Sequence, residues 1–69
     1  MQNNESMRQL FNEYCQNYKN MEKRKDELKQ ALLVARGSKA RQQVSWRIAC
    51  LEDELYETDL CLISMGRYL

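Results

Sequence analysis

The sequence predicts an all-α chain, a two-helix antiparallel hairpin with coiled-coil-like packing, and three observations predict it. Apolar residues recur at alternating steps of four and three through two long segments, the spacing of a helix face turned toward a neighbour. There is no Pro in the 69 residues, so neither segment is interrupted by a ring that breaks helices. The two glycines are Gly37, between the segments, and Gly66, near the C-terminus, where helices are expected to stop.

The first helix is expected over about residues 5–36. Met7, Phe11, Tyr14, Tyr18, Met21, Leu28, Leu32 and Ala35 form its apolar stripe, with Lys25 filling one slot that periodicity assigns to an apolar residue. The opposite side reads Asn12, Gln16, Lys19, Lys23, Asp26 and Gln30, so this helix has one face to bury. The turn is expected at 37–38 within "VARGSKARQ". Gly37 suits a left-handed residue closing the first helix, and Ser38 suits the N-cap of the second, its hydroxyl accepting from an unpaired backbone N–H.

A connection this short makes the helices antiparallel neighbours. Each arm is then roughly 42–48 Å long at 1.5 Å per residue. Lys25 should fall beside Leu51 and Glu52, its stem along the seam and its ammonium reaching Glu52.

The second helix, expected over about residues 39–66, carries two stripes. Val44, Ile48, Leu51, Leu55, Thr58, Leu62, Met65 and Leu69 repeat the four-three spacing and supply the other half of the seam, with Thr58 as its weak position. A period near 3.5 predicts a left-handed, coiled-coil-like twist. Trp46, Ala49, Tyr56, Leu60 and Ile63, interrupted by Asp53, lie about 150° round the same helix at 100° per residue. Helix one cannot cover both sides. An exposed strip of this kind marks an interaction surface, and Trp and Tyr are common interface anchors.

Size gives that strip weight. A lone core in so short a chain rarely supplies more than ~3–5 kcal/mol, so stabilisation from outside is expected. Cys15, Cys50 and Cys61 are an odd set without CxxC spacing, which points to reduced thiols acting as small hydrophobes in or beside the core, not to a disulfide framework or a zinc site. No metal or other cofactor is expected. The start "MQNNESMRQL" lacks the charged beginning and apolar run of a secretory signal, and "ALLVA" and "LCLI" are far too short to span a bilayer. A cytoplasmic, membrane-free chain is the expectation.

Charge is unevenly placed. Residues 19–47 hold nine Lys or Arg against three acids, a net +6, and residues 52–59 hold five acids and no base. The basic tip, with Arg36, Lys39, Arg41 and Arg47, is a candidate anion-binding site. No motif that reads nucleic acid accompanies it, and Trp46 is its sole aromatic, so nucleic-acid binding ranks below protein binding. The sequence has no His, no Gly-rich phosphate loop and no nucleophile elbow, so no enzymatic activity is expected.

The turn and second helix carry one resemblance. Arg36-Gly37, the Gln43-Val44-Ser45-Trp46 stretch, Leu51-Glu52 and the apolar end with Gly66 resemble the small E-type co-chaperones of type III secretion needle subunits. The likeness spans about residues 35–69 and reaches the first helix only as general amphipathic character. It implies a cytosolic hairpin that joins a tetratricopeptide-like chaperone to hold an aggregation-prone needle protein, with Trp46, Tyr56, Leu60 and Ile63 offered to that partner.

Two further readings come from the residues alone. One is a self-associating regulator, bacterial or phage, in which two copies bury the same stripe as a four-helix bundle. The other is nucleic-acid binding through the basic tip.

Overall fold

In the computed structural model, which describes residues 4–69, α1 runs over Asn4–Val34 and α2 over Ser38–Gly66. The two helices pack against each other as an α-helical hairpin. Both are rich in Leu, Met, Glu, Gln, Lys and Arg, residues that lose little rotamer freedom in a helix. Glu5 in the first turn of α1 complements the positive end of its dipole.

The hairpin is a ribbon measuring 57 × 15 × 11 Å. The 15 Å width is that of two helix backbones of radius ~2.3 Å with axes about 10 Å apart, so the described residues form a single layer with no third element above or below the seam.

That single layer explains the burial. Phe11, Tyr14, Tyr18, Met21, Leu28 and Leu32 of α1, with Val44, Leu51 and Leu62 of α2, are all half-buried. Ile48 and Leu55, at 8% and 6% exposed, are the buried residues of the core. Met7, Ala35, Thr58 and Met65 continue the half-buried row. Leu69 does not: it lies beyond α2, past a final turn tightened by bonds from the Arg67, Tyr68 and Leu69 N–H groups to carbonyls three residues back, and its side chain is exposed.

Lys25 is half-buried and lines one groove with Glu22 of its own helix and Glu52 of α2, as a residue whose stem lies along the seam should, but its ammonium forms no ion pair with Glu52.

The connection differs from expectation in three respects. α1 ends at Val34, so Ala35 and Arg36 belong to the turn and not to the helix. Ser38 is the first residue of α2 and not its cap. Gly37 occupies the cap, and no side chain bonds to the free N–H groups there. Gly37 has the expected positive φ, 86°, but its ψ of 147° is extended and not left-handed helical, a combination open essentially to glycine alone.

Arg41 serves the other side of the junction. Its Nη1 donates to the Leu32 carbonyl at 3.1 Å, satisfying a C-terminal acceptor of α1 from the first turns of α2.

Candidate protein-interaction edge

The outer side of α2 is where sequence and structure leave apolar surface in water. Trp46, Tyr56, Leu60 and Ile63 are 69%, 67%, 50% and 52% exposed. Ala49 and Asp53, which complete the row, are exposed as well. These side chains stay outside because the seam takes the residues about 150° away, and a ribbon one layer thick has nothing to lay over its edge.

Two grooves border the seam, and each takes one aromatic from the edge. The first is lined by Arg24 and Leu28 of α1 and by Trp46, Arg47, Cys50 and Leu51 of α2. The second is lined by Tyr18, Glu22 and Lys25 of α1 and by Glu52, Leu55, Tyr56 and Asp59 of α2. Glu22 and Arg24 are two residues apart, about 200° on a helix, so the grooves lie on opposite flanks of the ribbon. Trp46 therefore leans to a basic flank and Tyr56 to a mainly acidic one.

The basic tip is also exposed. Arg36, Lys39, Arg41 and Arg47 all face solvent, and Lys39, Gln42, Gln43, Trp46 and Arg47 line a shallow depression along the start of α2. Lys39 and Arg41 sit in the first turns of a helix that has no acidic residue there, so side-chain and dipole charges have the same sign. Arg41 is committed in part to the turn through its bond to Leu32.

Other exposed residues were not singled out by periodicity. Leu33 and Val34, at the end of α1, are among the large exposed hydrophobics, as are Leu10 and Tyr68. In the run "ALLVA" every residue is apolar, and burial selects Leu32 and Ala35, the two that four-three spacing assigns to the seam, and leaves Leu33 and Val34 outside. The cysteines divide in the same way. Cys15 and Cys50 are half-buried beside the seam, whereas Cys61 is exposed and is not part of the core.

Among the described residues no group of three or more Cys, Asp or Glu is placed to hold a metal ion, and no helix is long and apolar enough to cross a membrane. Comparison with known proteins returns no match, neither to a family model, nor to a curated protein, nor to a solved structure.

Proposed function

We propose that the chain is a protein-interaction module whose outer α2 edge is covered by another polypeptide. The observation that carries this reading is the exposed row of Trp46, Ala49, Tyr56, Leu60 and Ile63 on a hairpin with only two buried residues among those described.

Fully burying a large apolar side chain contributes ~1.5–3 kcal/mol. Trp46, Tyr56, Leu60 and Ile63 are already partly covered, so a partner gains roughly 4–7 kcal/mol from finishing the task. Association costs an estimated ~4–15 kcal/mol. The apolar row is thus large enough to matter and too small to act alone, so polar contacts beside it must help.

The finer form of the proposal follows the resemblance of the turn and second helix to needle-subunit co-chaperones. In that form the chain is a cytoplasmic co-chaperone or adaptor, and its companion is a tetratricopeptide-like chaperone holding a secretion subunit.

The test is to recover the tagged chain from its native host together with whatever polypeptide it holds. Leu60→Asp should lose the companion while keeping the helical circular dichroism of the isolated chain. Gln16→Asp, on the outer side of α1, should keep both. A wild-type chain recovered alone, as a monomer whose Trp46 is freely quenched by acrylamide, contradicts the proposal.

A further inference from the structure

We infer that the occupant of the α2 edge is a basic amphipathic helix of a different protein, one with Lys or Arg on both borders of its own apolar stripe. This rests on the reading of that edge as a docking surface, and it adds the partner's chemistry.

The charges framing the stripe carry the inference. On the 3.5-residue repeat of α2, Glu52 and Asp59 are seven residues apart on one border of the stripe and Glu57 lies on the other, with Asp53 inside it. All four are exposed. From residue 48 to residue 66 there is no Lys or Arg. Any helix laid along Ala49 to Ile63 therefore meets acid on both sides and in the middle, and the basic flank of the row is confined to its Trp46 end. Cations there are attracted and carboxylates are repelled, at the distances where partner charges discriminate most.

The same charges argue against a second copy of this chain. An antiparallel pair of α2 edges that matches the apolar rows sets Trp46 against Ile63 of the second copy. On the border the two copies then share, it also brings Glu52 within two residues of register with Asp59 of that copy, and it packs the two 52–59 acid clusters against each other. A parallel pair places Asp53 on its own counterpart.

Sliding the copies until the cations of 36–47 face the acids of 52–59 relieves the repulsion, but needs a shift of about 20 Å along the axis at 1.5 Å per residue. Ile63 then lies beyond the end of the opposing α2, and Leu60 faces Arg36. No single register satisfies both apolar and charge matching, whereas a basic helix from elsewhere satisfies both at once. An anionic lipid surface is disfavoured by the same acidic borders.

The probe is a Trp-free helical peptide of about 18 residues, long enough to run beside Trp46 to Ile63. It carries Leu at four-three spacing and Lys on both borders of the Leu stripe. Two controls accompany it, one with every Lys replaced by Glu and one with the Lys peptide's residues scrambled so that no stripe forms. Binding is read from the blue shift and anisotropy of Trp46 emission, the chain's one indole.

The Lys peptide should bind at least tenfold more tightly than either control at low salt, with the margin over the Glu peptide narrowing as salt is added. Combined Glu52→Lys, Glu57→Lys and Asp59→Lys should transfer the preference to the Glu peptide, a gain that also shows the variant is folded.

Equal or better binding of the Glu peptide by the unchanged chain overturns the inference and leaves the docking edge standing. Binding of the scrambled peptide as tight as that of the Lys peptide overturns the inference too. A blue-shifted Trp46 in the chain alone, with a dimer mass by sedimentation, overturns it in favour of a second copy. A monomer that binds none of the peptides overturns both the inference and the docking edge.

Discussion

The outer sides of α1 and α2 face away from a common seam, and they have opposite chemistry. Along α1 the outer residues are Asn12, Gln16, Lys19, Lys23, Asp26 and Gln30, all exposed and all polar. Water solvates them, and Gln16 Nε2 also donates to Asn20 Oδ1 at 3.1 Å one turn on. Along α2 the corresponding side presents Trp46, Ala49, Tyr56, Leu60 and Ile63. One helix is finished by one neighbour, and the other has surface for two. The difference matters because the described residues form no third layer to supply the second neighbour.

The largest expected effect separates the seam from either edge. Leu55→Asp puts a charge at the most buried of the described positions and should remove more than the ~3–5 kcal/mol that a core this small holds. Far-UV circular dichroism should show the isolated hairpin unfolded.

Gly37→Ala acts on the junction that sets both edges back to back. Its Cβ would meet nothing within 4 Å, so the cost is backbone strain at positive φ, about 1–3 kcal/mol in the urea midpoint at unchanged slope. A smaller cost, ~0.5–1.5 kcal/mol by the same measurement, is expected for Ile48→Val in the seam.

Leu60→Asp and Gln16→Asp then compare the edges directly. Each should alter the stability of the isolated chain by no more than ~0.5 kcal/mol, and an equal loss of helicity in Leu60→Asp and Leu55→Asp would erase the distinction between edge and seam.

The smallest effect is kinetic. Cys61 should react with a thiol reagent before the half-buried Cys15 and Cys50, and Cys61→Ser should delete the fast phase.

The hairpin was legible in the sequence because two continuous four-three stripes flank a glycine and no proline intervenes. Burial follows those stripes from Met7 through Met65 and leaves them at Leu69, where the helix has already ended. Periodicity extends past a helix terminus as readily as through it, which is why α1 also stops one residue before its stripe does.

The turn was less legible. Ser38 has the composition of a cap, yet the cap is Gly37, and the bond that ties the arms together comes from Arg41, a residue that composition assigns only to the basic tip. Capping depends on backbone angles that residue type constrains weakly, glycine excepted. The α2 edge was visible as a second stripe because Trp46, Ala49, Tyr56, Leu60 and Ile63 keep helical spacing. Leu33 and Val34 lie outside the α1 stripe, in a run where every residue is apolar. What covers the edge is written in another chain, and the acid borders around Tyr56 are the part of that information this chain retains.

Photo-cross-linking inside the cell that makes the protein tests the central claim most directly. A photoactivatable phenylalanine analogue at position 60 should yield a discrete adduct whose mass differs from twice the 8.3 kDa chain, and the same analogue at position 16 should yield none. Adducts of equal yield from both positions, or none from position 60, would contradict the assignment of the α2 edge to another protein.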